Sequence, residues 1–223
     1  MIITKSKKIE DILEFVKEKT NIFIVGCGSC AAACKTGGED EVIAMKSELE
    51  SRGKKVLGWI VPDETCHIPL TKKLIMENKD AFNQSEAIIV MACGAGVQTV
   101  SVIKDDKEIY PALDTLFLGN TKRIGDFSEH CSLCGECVLG DTAAICPVTR
   151  CPKGLLHGPC GGMDEGKCEF DREKDCAWVQ IYDRLKALGQ LDKLKKIKPA
   201  KDYSKHNKPG DLNIGSKARK KIS

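Results

Sequence analysis

The 223 residues carry a formal net charge of only +3, 5% aromatic residues and thirteen cysteines. So small a charge excludes a chain that binds nucleic acid or membrane surfaces as a whole, and no run of about 18 apolar residues is present to span a bilayer. The length suits two small domains, no repeat of solenoid period is visible, and scarce aromatics leave little material for an ordinary core in the second half.

In chain order, Ile9, Ile12, Leu13 and Val16 recur at i, i+3, i+4 and i+7, which predicts a first helix within 8–19. NIFIVG then reads as a buried strand running into Cys27, within GCGSCAAAC. A helix is expected from Glu39 to Arg52 with Val42, Met45 and Leu49 inward and Gly53 just past its end. KKVLGWIV is a second strand, ending at Pro62, with Cys66 in the following loop. A helical segment through Leu70, Leu74 and Ile75 leads to a third strand, AIIVMA, which ends at Cys93. GAGVQTV opens another helix, and TLFLG is expected as the fourth strand, near residue 119.

Strands that are apolar throughout and alternate with helices indicate a parallel sheet covered on both faces, here a Rossmann-like or flavodoxin-like α/β domain over 1–125. Ligands of such sheets bind beyond the carboxyl ends of the strands. Cys27, Cys66 and Cys93 each follow a strand, so that edge is expected to gather them with Cys30 and Cys34. A metal site is expected there from Cys27, Cys30, Cys34 and Cys93, with Cys66 in reserve, and C-x2-C-x3-C spacing suits either Zn2+ or a [4Fe–4S] cluster. Free cysteines packed as small apolar residues are the bland alternative. GCGSCAAAC lacks the third glycine of a dinucleotide fingerprint, and CGAG is too short a signal to replace it.

Residues 126–197 form a small cysteine-rich domain with its covering helix. Eight cysteines, Cys131, Cys134, Cys137, Cys146, Cys151, Cys160, Cys168 and Cys176, stand among glycines and prolines with few large apolar residues. The C-x2-C-x2-C loop at Cys131, Cys134 and Cys137 aims three thiolates at one centre, which suits an iron–sulfur cube better than a zinc ion held by two paired knuckles. Cys146 and Cys151 each precede a proline, as in ferredoxin motifs. Eight thiolates suffice for two [4Fe–4S] clusters. The fourth ligand of the first is any of the later five, with Cys151 and Cys176 preferred. Around Cys160, Gly158, Gly161 and Gly162 allow amides to approach cluster sulfur. The N-terminus MIITKSKKIEDILEF shows no apolar leader, so a cytoplasmic, reducing location is expected, and metal rather than disulfides explains the cysteines.

Trp178, Ile181, Tyr182, Leu185 and Leu188 keep helical spacing after Cys176, predicting a helix that covers the clusters with Trp178 and Tyr182. Residues 198–223 are basic and nearly devoid of apolar side chains, a tail expected to be disordered or to order on a partner. His67, His130, His157 and His206 are scattered, His130 reads as a surface residue, and no paired carboxylates mark an acid–base site.

CPKGLLHGPCGG, preceded by CSLCGEC and ICPVTR and followed by KCEF and CAW, resembles the C-terminal domain associated with methylenetetrahydrofolate reductases. With GCGSCAAAC and MACGAGVQTV, nearly the full chain is similar to the small MetV-type iron–sulfur subunit of these enzymes. The resemblance implies a flavin-containing catalytic partner that binds the folate and performs the hydride transfer of one-carbon metabolism, as in the Wood–Ljungdahl pathway. It also implies iron–sulfur clusters on this chain, associated zinc, and room for a further electron-donor subunit. The expected function is to relay electrons to the partner's flavin, without catalysis of its own. Two alternatives are a redox-silent, metal-stabilised docking subunit and a zinc-thiolate methyl-transfer protein.

Overall fold

The computed structural model describes residues 1–206 and 208–212, which fall into two compact units, Met1–Glu129 and the chain from His130 onward. The elements of the first unit are β1 (Ile2–Ser6), α1 (Ile9–Phe15), β2 (Asn21–Val25), α2 (Cys30–Ala33), α3 (Glu39–Ser51), β3 (Lys55–Ile60), α4 (Ile68–Glu77), α5 (Lys79–Gln84), β4 (Ala87–Val90), α6 (Gly94–Ile103), β5 (Glu108–Pro111) and β6 (Leu113–Arg123). Strand β7 (Asp126–Cys131) leads from it into the second unit.

Four strands form a parallel sheet in the order β3-β2-β4-β5. Because β3 lies on one side of β2 and β4 on the other, the order reverses between β2 and β4, and in open α/β sheets a crevice opens beyond the carboxyl ends of such a strand pair. The two central strands explain their own apolar runs. Phe23, Val25, Ile88 and Val90 enter one core with Ile75, Phe82 and Val100 of α4, α5 and α6. Ile22, Ile24, Ala87 and Ile89 enter the other with Ile12, Val42 and Leu49 of α1 and α3. Alternate side chains thus feed two cores, and no polar face is left on either strand.

Helix α3 closes as its sequence predicts, with Val42 and Leu49 buried and Gly53 at φ +80° past its end. The ammonium of Lys54, next in the chain, donates to the carbonyls of Val16, Lys17 and Lys19 at 2.6–2.9 Å and so ties off the turn that ends α1. Gly37 is required by close approach: a Cβ there would lie 2.0 Å from the Met91 carbonyl oxygen.

The expected fourth strand is corrected. TLFLG belongs to β6, which pairs antiparallel with β1 and adjoins β7 in a separate three-stranded sheet. The fourth parallel strand is β5, whose sequence EIYP is half-exposed at the sheet edge. An edge strand has one neighbour and one open side, so it tolerates proline and needs no apolar run to announce it. No sequence signal pointed to β1 either, a short strand stabilised by pairing with residues more than 100 positions away.

The second unit contains α7 (Pro147–Arg150), α8 (Ala177–Ala187), α9 (Asp192–Lys195) and a 3-10 turn, Tyr203–His206. Its apolar cluster is small: Ile145, Trp178, Ile181 and Leu185, with Cys151, Leu155 and Cys176 packed against it. Among the described residues no helix is long and apolar enough to cross a membrane.

Candidate metal centres

In the first unit, three cysteines lie in segments that leave parallel strands of the sheet. Cys27 follows β2 and is buried, Cys93 is the N-cap of α6 directly beyond β4, and Cys66 is exposed on the loop that follows β3. Thr65 fixes that loop. Fully buried, it donates its hydroxyl to the Gly26 carbonyl and packs on Gly96 of α6, while the Thr71 hydroxyl donates to its carbonyl at 3.0 Å. Burial pushes the Cys27 thiol up, but the N–H groups of Thr65, Ser29 and Ala31, with the Thr65 hydroxyl, outweigh it and hold the thiol below its ordinary value. The Cys66 thiol is raised, first by burial and then by the neighbouring charges of Cys93 and Cys27. His67, which carried no role in the sequence, caps α4 by accepting the Leu70 N–H on Nδ1 at 3.2 Å.

Cys30 and Cys34 face elsewhere. The Ile2 N–H donates to Cys30 Sγ at 3.4 Å and the Cys34 thiol donates to the Ile2 carbonyl at 3.8 Å, so both lie against β1. Among the described residues no three His, Cys, Asp or Glu side chains stand in a metal-holding arrangement.

In the second unit, Cys151, Cys160, Cys168 and Cys176 line one cavity of ≈ 20 Å³, together with Leu155, Met163 and Trp178. Three local features bring them there. Cys151 accepts the Gly154 N–H on its carbonyl at 2.8 Å, the Cys168 N–H donates to Lys174, and the Cys176 N–H donates to Gly166. Cys176 then starts α8, which places Trp178 over the thiols with its indole N–H on the Leu155 carbonyl. The Gly162 N–H reaches the Cys160 sulfur and, with the charge of Lys153, holds that thiol below its ordinary value. Gly161, at φ +80°, supplies the turn that permits this approach.

The Cys131–Cys137 loop is built differently. Leu133 and Gly135 both have positive φ, curling the backbone so that the Leu133 N–H points at Cys131 Sγ, 3.4 Å away. Cys131 and Cys137 are exposed and Cys134 half-buried. The Ser132 hydroxyl oxygen is buried without a hydrogen-bond partner among the described residues, a polar group left available to whatever the loop binds. Cys137 lines a larger cavity of ≈ 650 Å³ whose wall includes Trp178, so the indole borders both cysteine sites. Thiolate donors, N–H groups aimed at sulfur and an orphaned hydroxyl fit iron–sulfur ligation.

One feature of this unit carried no sequence signal. Glu136, between Cys134 and Cys137, pairs with Lys205, accepts the Asp202 N–H at 2.9 Å and lends its carbonyl to Lys201. The start of the basic tail therefore lies against the three-cysteine loop, while residues 213–223, also assigned to that tail, lie outside the described residues. The expectation that Tyr182 joins Trp178 over the thiols is corrected: it is 46% exposed, and Leu188 on the same helix is exposed too. His130 is exposed.

No curated protein and no solved structure matches the chain. Residues 110–204, from β5 through the whole cysteine-rich stretch, match the family model described as the C-terminal region of methylene-tetrahydrofolate reductase, which links this part of the chain to that enzyme.

Proposed function

We propose that the chain is the electron-transfer subunit of a methylenetetrahydrofolate reductase complex and delivers electrons to the flavin of a catalytic partner. The observation that carries this reading is the gathering of Cys151, Cys160, Cys168 and Cys176 around one cavity inside the segment that matches the reductase family. These four would hold one [4Fe–4S] cluster, and Cys131, Cys134, Cys137 and Cys146 the other. Bound clusters supply one-electron transfers, the currency a flavin accepts singly or in pairs. The first unit contributes a third metal site.

The chain's own residues set the conditions for this chemistry. The Gly162 N–H favours charge on Cys160 and the Leu133 N–H points at Cys131 Sγ, and hydrogen bonds to sulfur are a principal control of cluster potential. Trp178, 5% exposed, excludes water from the side of the four-cysteine site that it covers. Low polarity around a cluster is the second such control.

The test uses the assembled complex, prepared without oxygen. The isolated subunit is expected to bind iron with a paramagnetic signal on reduction and to show no reductase activity. A complex that keeps its flavin but lacks one cluster is expected to lose reduction by a one-electron donor and to retain turnover when the flavin is reduced directly. Normal electron acceptance by the cluster-deficient complex would reduce the metals to scaffolding.

A further inference from the structure

We propose that the cavity of ≈ 650 Å³ in the second unit is a binding site for a phosphate-bearing organic anion of nucleotide size, held by the ammonium groups of Lys193, Lys196 and Lys201. This goes beyond the electron-transfer reading and rests on the cavity, its walls and its charge.

Shape comes first. Three lysines fasten the segment 193–201 to the stretch 136–141: Lys193 donates to the Gly140 carbonyl at 2.8 Å, Lys198 pairs with Asp141, and Lys201 donates to the Glu136 carbonyl. Both stretches line the cavity, and Trp178 and Leu156 add to its wall. Its volume lies in the range of about 300–1,000 Å³ usual for small-molecule sites. Val138, Leu156, Leu194 and Trp178 offer apolar surface to an organic body.

Charge comes second. Five lysines and two carboxylates line the cavity, and both carboxylates are taken, Glu136 by Lys205 and Asp141 by Lys198. Lys195 pairs with Asp192. Lys193 and Lys201 bond to neutral carbonyls, and Lys196 has no partner among the described residues. Lys201 reaches the Glu136 carboxylate only as a weaker, more distant influence than Lys205. Three ammonium groups therefore border one space without a paired carboxylate, and each keeps N–H donors to spare. Like charges held around one cavity repel, and a bound polyanion relieves that repulsion.

The kind of cation selects the ligand. Among the described residues no arginine lines the cavity, so the planar fork that captures a carboxylate in two bonds is missing. Ammonium groups act as point charges, which suit the spread oxygens and the charge of about −2 that a phosphate ester carries at neutral pH. A diphosphate matches three of them.

The test is titration calorimetry of the full chain, purified anaerobically, with ADP, pyrophosphate, adenosine and citrate as probes. ADP is expected to bind more tightly than pyrophosphate, adenosine not to bind, and ADP binding to weaken as salt is added. Lys196→Gln should weaken ADP binding at least roughly tenfold, the loss of one hydrogen bond from a charged group. Lys193→Gln and Lys201→Gln should weaken it further, while Lys186→Gln, on α8 and outside the cavity, should leave it unchanged. Lys196 holds no contact on which folding depends, so its variant decides the matter even if the other two fail to fold. Absence of ADP binding, equal affinity in Lys196→Gln and the native chain, or weakening in Lys186→Gln as large as in Lys196→Gln would each overturn the proposal. Citrate bound as tightly as ADP, or pyrophosphate bound without ADP, would overturn the assignment to an organic phosphate. Iron content enters none of these outcomes, so this site and the cluster reading fail separately.

Discussion

The indole N–H of Trp178 donates to the carbonyl of Leu155 at 3.0 Å, joining the first turn of α8 to the glycine-rich stretch between Cys151 and Cys160. In a unit with so small an apolar cluster, this contact both buries the largest side chain and fixes the wall of the four-cysteine cavity. Trp178→Phe keeps most of the burial but leaves the carbonyl unpaired, and should cost about 1 kcal/mol. Trp178→Ala should cost about 3–5 kcal/mol through loss of packing. Denaturant titration of the metal-loaded full chain measures both, and equal effects of the two variants would show that the hydrogen bond rather than packing dominates.

The partition of the eight cysteines is directly countable. If the proposed assignment holds, with each in a different cube, Cys160→Ser and Cys134→Ser should each remove roughly four of about eight iron atoms, and the double variant should remove nearly all. Iron analysis of anaerobic preparations checks this. Loss of all iron from Cys134→Ser alone would mean that the two sites fold as one unit.

Glu136 predicts a pH dependence. The Lys205 ammonium, hydrogen-bonded to its carboxylate, and the Asp202 N–H hold the Glu136 carboxyl below its ordinary value. A depressed folded-state value means that the contribution to stability is fully present above the unfolded value near 4.5 and is lost as pH falls through the folded one. The Lys201–Lys205 segment should therefore stay clamped at neutral pH and be released only in acid. Glu136→Gln mimics the acid state, and at neutral pH should increase tryptic cleavage at Lys201 and Lys205 severalfold. Unchanged cleavage would show that the clamp does not hold the segment.

Lys54 predicts a stability effect remote from every cysteine. Its ammonium satisfies three carbonyls at the end of α1, and Lys54→Met leaves them without that donor. Hydrogen bonds from a charged group are worth about 1.5–3 kcal/mol each in favourable settings, and water reaches this site, so a loss of about 1–3 kcal/mol is expected on thermal or urea unfolding. Metal content should not change.

The central strands, α3, α6 and α8 were legible in the residues because each buries a periodic or continuous apolar pattern, and such patterns are local. NIFIV and AIIV announce β2 and β4 because both of their faces are covered. The placement of Cys27, Cys66 and Cys93 beyond strands was readable for the same reason. What spacing along the chain left open is direction in space. Cys27 and Cys30 are three residues apart, yet one sits among N–H donors at the switch point and the other against Ile2, because β1 is recruited by pairing with β6. The division of TLFLG from the parallel sheet, the fastening of Thr65 over Gly26, the contact of Lys205 with Glu136 and the meeting of Cys151 with Cys176 depend on long-range contacts. Sequence by itself determined the kinds of donor and the layers that carry them. Which thiols share a site is decided only when distant backbone segments pair, since that pairing, and not the interval between cysteines, sets where each sulfur lies.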